Sequence, residues 1–155
     1  AEPRRFELAP DGSLPTNVAG CVLRADGTWD GMLDPLHKVG YLRLGSVEFS
    51  SAGAVKAILA DLAERGCRGL VLDLRWCPGG YVAPNVEIAG LFLAPNAVVA
   101  RVELLPNVEG SPIPQLKTTY HAPTTGPSYA DLPVVVLVGA ETLGGGELIA
   151  AALQE

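Results

Sequence analysis

The stretch from Leu132 to Glu155, LPVVVLVGAETLGGGELIAAALQE, leaves the chain few ways to fold. The β-branched run Val134 to Val138 has the length and apolarity of a buried strand, and it stops at Gly139. A short polar turn and the glycines Gly144, Gly145 and Gly146 follow, and then an alanine-rich helical pattern begins. A strand that passes through glycines into a helix is an α/β elbow, where helix N-terminal amides point at whatever sits above the strand's end. This elbow is the expected seat of chemistry, yet three glycines supply no side chain that can act as a nucleophile.

A second elbow lies upstream. Gly69 to Arg75 (GLVLDLR) is nearly continuously apolar and predicts a buried strand. It runs into Trp76 to Gly80 (WCPGG), where Pro78 fixes one φ and Gly79 and Gly80 allow close backbone approach, and a helical period follows from Val82 to Leu93. Before it, Val39 to Phe49 alternates as a strand, Ser50 or Ser51 is the expected cap, and a helix runs to about Arg65. Val55, Ile58, Leu59 and Leu62 form its apolar stripe, Lys56, Asp61, Glu64 and Arg65 its wet face, and Gly66 its end. Strand, helix and strand make a βαβ unit, which in a parallel sheet crosses over right-handed. Val98 to Leu105 predicts a further strand, and Gln115 to His121 a polar strand-like piece inside a proline-rich excursion over 106–127.

Residues 1–37 are rich in turn formers, among them Pro3, Pro10, Asp11, Gly12 and Pro15. Two apolar pieces, Asn17 to Leu23 and Trp29 to Leu33, flank Asp26-Gly27 and predict a small antiparallel N-terminal ribbon. We therefore divide the chain into linker and edge strands at 1–27 and a core at 28–155. The N-terminus opens mid-loop and the last helix reaches Glu155 without a Gly or Asn stop, so further elements are expected on either side.

Charge and cysteine content exclude several functions. A net charge of -6 without a Lys/Arg cluster argues against nucleic acid. No run reaches the roughly 20 apolar residues of a membrane span. Cys21, Cys67 and Cys77 are three, with no CxxC spacing, and there are only two histidines, which favours free thiols over a zinc site or a disulfide framework. No metal site is expected. Nor is a nucleotide cofactor, since the glycines match neither G-x-G-x-x-G nor G-K-[ST].

The remaining polar residues each have a structural reading beside a chemical one. His37 and His121 lack a nucleophile in register and read as structural. Cys77 and Thr142 are the alternative nucleophiles the elbows offer, and a reactive cysteine needs a low pKa and a base. Glu147, in the first turn of the last helix, suits that helix's dipole and its free amides. Asp73, between Leu72 and Leu74, is expected to bond a turn or an arginine such as Arg75.

TWDGMLD (Thr28 to Asp34), KVGYLRLGSVEFS (Lys38 to Ser50), GLVLDLRWCPGGY (Gly69 to Tyr81), VEIAGLFL (Val86 to Leu93) and the closing elbow together resemble the C-terminal-processing, or tail-specific, serine peptidases, in the family's order. The resemblance implies an α/β crotonase/ClpP-like spiral of βαβ units with a mostly parallel sheet. It implies cleavage of peptides or proteins near their C-termini by a Ser/Lys dyad, and an extracytoplasmic, periplasmic setting. Where the family reads Ser-Ala-Ser-Ala-Ser-Glu this chain has Thr142 to Glu147, so the nucleophile position falls on Gly144, native or introduced. The family's lysine base falls beyond Glu155. Gly79, Gly80 and Gly145 match the oxyanion positions, Cys77 replaces an asparagine, and Cys77, Thr142 and Glu147 are expected to line the site. Two readings follow: a peptidase domain without its chemistry, or a non-catalytic peptide-binding or scaffold module.

Overall fold

The computed structural model describes residues 17–103 and 117–154. The expected turns from Pro3 to Pro15, the strand end at Leu104 and Leu105, the proline-rich stretch through 116 and the helix end at Glu155 lie outside them. In chain order the elements are β1 (Val18–Ala19), β2 (Val22–Leu23), β3 (Trp29–Asp30), β4 (Met32–Asp34), β5 (Val39–Leu44), α1 (Ser51–Glu64), β6 (Gly69–Asp73), α2 (Val82–Gly90), β7 (Val98–Glu103), β8 (Lys117–His121), β9 (Val134–Leu137) and α3 (Gly145–Ala152).

The fold is mixed α/β around a mostly parallel sheet. β5, β6 and β9 pair in parallel, with Leu42 opposite Leu72 and Leu72 opposite Val136. β1 and β4 run antiparallel along the remaining edge of β5. Leu42, Leu44, Leu70, Leu72 and Leu74 are buried, and the predicted α1 stripe Val55, Ile58, Leu59 and Leu62 closes over them together with Ile88 and Ile149. Burial of each such side chain contributes roughly 1.5–3 kcal/mol against exposure.

The two N-terminal apolar pieces do not each form one strand. Gly20 and Gly31 divide them: Val18–Ala19 and Met32–Asp34 join the main sheet, while Val22–Leu23 and Trp29–Asp30 pair with each other around the Asp26-Gly27 turn. Cys21 N–H donates to Asp30 O at 2.6 Å across the kink, where a Cβ on Gly20 would meet Asp30 C at 2.8 Å. Arg24 and Arg65 then tie the pair to α1 through Asp30 and Asp61, at 2.6–3.6 Å.

Other boundaries also differ from the sequence reading. β5 ends at Leu44, because Gly45 N–H turns to Asn17 O (2.7 Å), and Phe49 is 70% exposed. Neither serine caps α1 with its side chain; Ser51 Oγ instead accepts the Glu48 N–H at 2.9 Å. α2 stops at Gly90 and α3 at Ala152, both earlier than their helical periods run. β7 and β8 form a separate antiparallel pair beside α2 and α3.

Candidate functional site

The parallel register sets the C-terminal ends of β6 and β9 side by side. Leu74 N–H donates to Leu137 O at 2.8 Å, so the β6–α2 and β9–α3 elbows leave the sheet as neighbours. Thr142 staples them. Its Oγ1 donates to Leu74 O at 2.7 Å and accepts the Gly139 N–H at 2.9 Å, and its side chain is buried. Leu143 N–H adds a bond to Cys77 O at 3.0 Å.

The first elbow is anchored where it begins. Asp73, fully buried, accepts from the Arg75 N–H (3.1 Å), both arms of the Arg75 guanidinium (3.0 and 2.8 Å) and the Tyr41 hydroxyl (2.8 Å). The Arg75 contact, strongest of these, holds the Asp73 carboxyl down at about 2 although burial opposes it. Asp73 is therefore the arginine-paired residue the sequence suggested. Further on, Gly80 bridges Val47: Val47 N–H donates to Gly79 O at 2.6 Å and Tyr81 N–H to Val47 O at 3.2 Å. Beside this bridge the exposed rings of Phe49 and Tyr81 stack with centroids 4.3 Å apart.

The three glycines of the second elbow meet different surroundings. A Cβ on Gly146 would collide with Cys77 O, and one on Gly145 would lie 2.6 Å from Asn85 Oδ1 and nearer still to Nδ2. On Gly144 a Cβ would meet only Pro78 O, at 3.2 Å. Gly144 is exposed and holds φ +49°, ψ −110°, a strained conformation for a residue with a side chain. Its N–H donates to Glu147 Oε2 at 2.9 Å, so Glu147 caps α3, in keeping with its structural reading.

Gly79, Gly80, Gly144 and Gly145 are thus gathered at one place: a Cβ on Gly79 would strike Gly145 N. Among the described residues the N–H groups of Gly80 and Gly145 have no acceptor. Burial pushes the Cys77 thiol pKa up, and the neighbouring Gly79 N–H works against it by favouring the thiolate. Cys77 is fully buried, which keeps its thiol protonated and away from solvent. His37 bonds Asp34 at 2.6 Å in an exposed turn, and His121 sits 3.0 Å from Asn96 O at the end of β8, so both lie off the elbows. Among the described residues no group of three or more His, Cys, Asp or Glu is gathered for a metal, and no helix is long and apolar enough to cross a membrane.

The model of Peptidase family S41 matches residues 38–155, which include both elbows. The chain belongs to peptidase family S41. The carboxyl-terminal-processing protease of Synechocystis sp. is 34% identical over 121 residues, covering 78% of this chain and 26% of that protein. The Picosynechococcus sp. protein of the same name is 35% identical over 118 residues, with 76% and 26% covered. The solved photosystem II D1 C-terminal processing protease matches with a TM-score of 0.60 at 28% identity, over 75% of this chain and 27% of that one. A solved structure from Bacteroides fragilis shares the fold alone, with a TM-score of 0.57 at 23% identity over 75% and 32% of the two chains. The chain therefore spans about a quarter of the length of the curated S41 relatives it matches.

Sequence reasoning missed one residue at the site. Asn85, on the buried face of α2 with Val86, Ile88 and Ala89, is packed against Gly145. The signal was a single amide on a helix face of apolar residues.

Proposed function

We propose that this chain is the core of a carboxyl-terminal-processing peptidase in which the peptide-holding part of the site is kept and the bond-breaking part is not. The observation that carries this reading is the set of surroundings of Gly144. It stands at a sharp strand-to-helix turn of the kind that presents a nucleophile in hydrolases, where a Cβ would meet Pro78 O alone, at 3.2 Å, and it has no hydroxyl. Acyl transfer by the family's Ser/Lys dyad needs that oxygen to form the acyl-enzyme. What remains are the Gly80 and Gly145 N–H groups, suited to hold a peptide carbonyl as they would an oxyanion. The fold reading that goes with this is a crotonase/ClpP-like spiral, with 28–155 as the core and 1–27 as linker and edge strands. Family membership supports an extracytoplasmic setting, which fractionation of the source cells tests.

Incubation with unstructured peptides is expected to leave them intact, because losing a nucleophile that works with a base removes nearly all of the rate. Robust cleavage by the protein as it stands would overturn the inactive reading. A peptide-binding role is favoured by the two unengaged amides and by the exposed Phe49–Tyr81 stack beside Gly80. Its ligands would be peptide or protein C-termini, laid in an extended form along the elbow. Fluorescence titration with peptides bearing free or amidated C-termini tests this. Tighter binding of the free acid is expected, and equal weak binding of both would remove C-terminal recognition.

A further inference from the structure

Asn85 has a bonding pattern that close packing alone does not explain. Its side chain is 0% exposed, in a helix whose other buried positions include Val86, Ile88 and Ala89. Nδ2 donates to the Tyr81 carbonyl at 2.6 Å, which fixes the orientation of the carboxamide, since only its nitrogen can donate. Among the described residues Oδ1 then has no partner and is buried. An unpaired buried acceptor is costly, and an apolar side chain of the same size would fill the space without that cost.

The position of the carboxamide supplies a reason for it. On one side it holds the carbonyl of Tyr81, the residue directly after Gly80. On the other it is pressed against Gly145, where a Cβ would lie 2.5 Å from its Cγ and 2.6 Å from Oδ1. Among the described residues, the N–H groups of Gly80 and Gly145 find no acceptor. One short, planar side chain with two torsions therefore touches the donor-bearing segments of both elbows.

We propose that Asn85 is a positioning residue that fixes the spacing of the Gly80 and Gly145 N–H groups, so that both reach the same carbonyl oxygen of a bound peptide. The proposal rests on the peptide-holding reading above. The bond to Tyr81 O holds the Tyr81–Val82 peptide unit at the start of α2, one residue beyond Gly80, and the carboxamide limits how closely α3 can settle on α2. Leucine in its place would keep the volume and leave Tyr81 O with only the longer contact from the backbone N–H of residue 85, at 3.4 Å, so that the start of α2, and the first elbow with it, could shift against Gly145.

The test is titration of ¹⁵N-labelled protein with an unstructured, N-acetylated decapeptide of alanine and serine bearing a free C-terminus. In the unsubstituted protein the Gly80 and Gly145 amide resonances are expected to shift together and report one Kd. Asn85→Leu is expected to keep or raise the thermal midpoint, to weaken binding about ten-fold, and to lose the common response of the two amides. A purely packing role would leave affinity and both shifts unchanged in Asn85→Leu, and that result overturns the proposal. If Asn85→Leu does not fold, the pair Asn85→Ala/Gly145→Ala refills the same space from the other side, and undiminished binding by it has the same consequence. Peptide binding that shifts neither glycine would overturn the Asn85 role and leave the peptide-binding reading standing; no binding at all would remove both.

Discussion

The two elbows use glycine for opposite reasons. In the β6–α2 elbow Gly80 is part of a backbone ladder with Val47, so its lack of a side chain is a condition of pairing. In the β9–α3 elbow Gly145 and Gly146 are condensed against Asn85 and Cys77 O, whereas Gly144 faces space. Strand pairing and helix packing thus explain four glycines of the pair, Gly79, Gly80, Gly145 and Gly146, and leave the fifth to its backbone angle alone. At Gly144 the backbone angle favours glycine, and a Cβ would meet a single neighbour, Pro78 O at 3.2 Å.

This contrast is broken most severely at Gly80. A Cβ there would lie 2.9 Å from Val47 C and closer still to Val47 O, both backbone atoms held in the bridge. Gly80→Ala should lower unfolding stability by about 3 kcal/mol or more, in the tail of single-residue effects. Urea denaturation measures it; a loss below about 1 kcal/mol would mean that the bridge is dispensable. Gly145→Ala comes next, at about 1–3 kcal/mol for overpacking against Asn85. Unlike Gly80→Ala it should be rescued, with Asn85→Ala removing the obstacle, and a double-mutant cycle should show coupling of about 1–2 kcal/mol. Additive losses would show that the carboxamide is not what Gly145 avoids.

The anchoring of the first elbow gives a pH signature. The Asp73 carboxyl, held at about 2 chiefly by Arg75, lies below the ordinary 3.8. A carboxyl depressed on folding adds stability that is complete above the higher value and is lost as pH falls through the lower one. Between about pH 4 and 2 the protein should lose about 1–2 kcal/mol from this pair, less than the full shift implies because the Arg75 side chain is half exposed and solvent screens it. Asp73→Asn should flatten that part of the pH profile in denaturant melts. An unchanged slope would detach the anchor from Asp73.

Much of this contrast could be read from the sequence, because both elbows follow buried parallel strands whose apolar runs, GLVLD and VVVL, are nearly continuous. The α1 stripe was legible for the same reason: one face of a 3.6-residue period was apolar throughout. Asp73 and Glu147 were placed in their structural roles by simple electrostatics, and both bond as those roles require. Several features depend on partners distant in sequence. Gly20 and Gly31 split the N-terminal strands between two sheets by contacts across the chain. Thr142 reaches 68 residues to Leu74 O, and Asn85 meets Gly145 only once α2 and α3 are side by side. Sequence periodicity describes a single segment's face, so it could not show what these residues touch.

The mildest test falls on Gly144 itself. Adding a Cβ there costs the strain of a side chain at φ +49° and a single tightened contact with Pro78 O at 3.2 Å. Together these predict a loss of about 1–2 kcal/mol for Gly144→Ala. Gly144→Ser should fall in the same range, since its hydroxyl enters exposed space above the elbow and buries no polar atom. Side by side with Gly145→Ala and Gly146→Ala, the stability order should therefore place position 144 as the most tolerant of the three. If Gly144→Ala were instead as damaging as Gly146→Ala, the glycine would be required by packing, and its absence of a hydroxyl could no longer be separated from the needs of the fold.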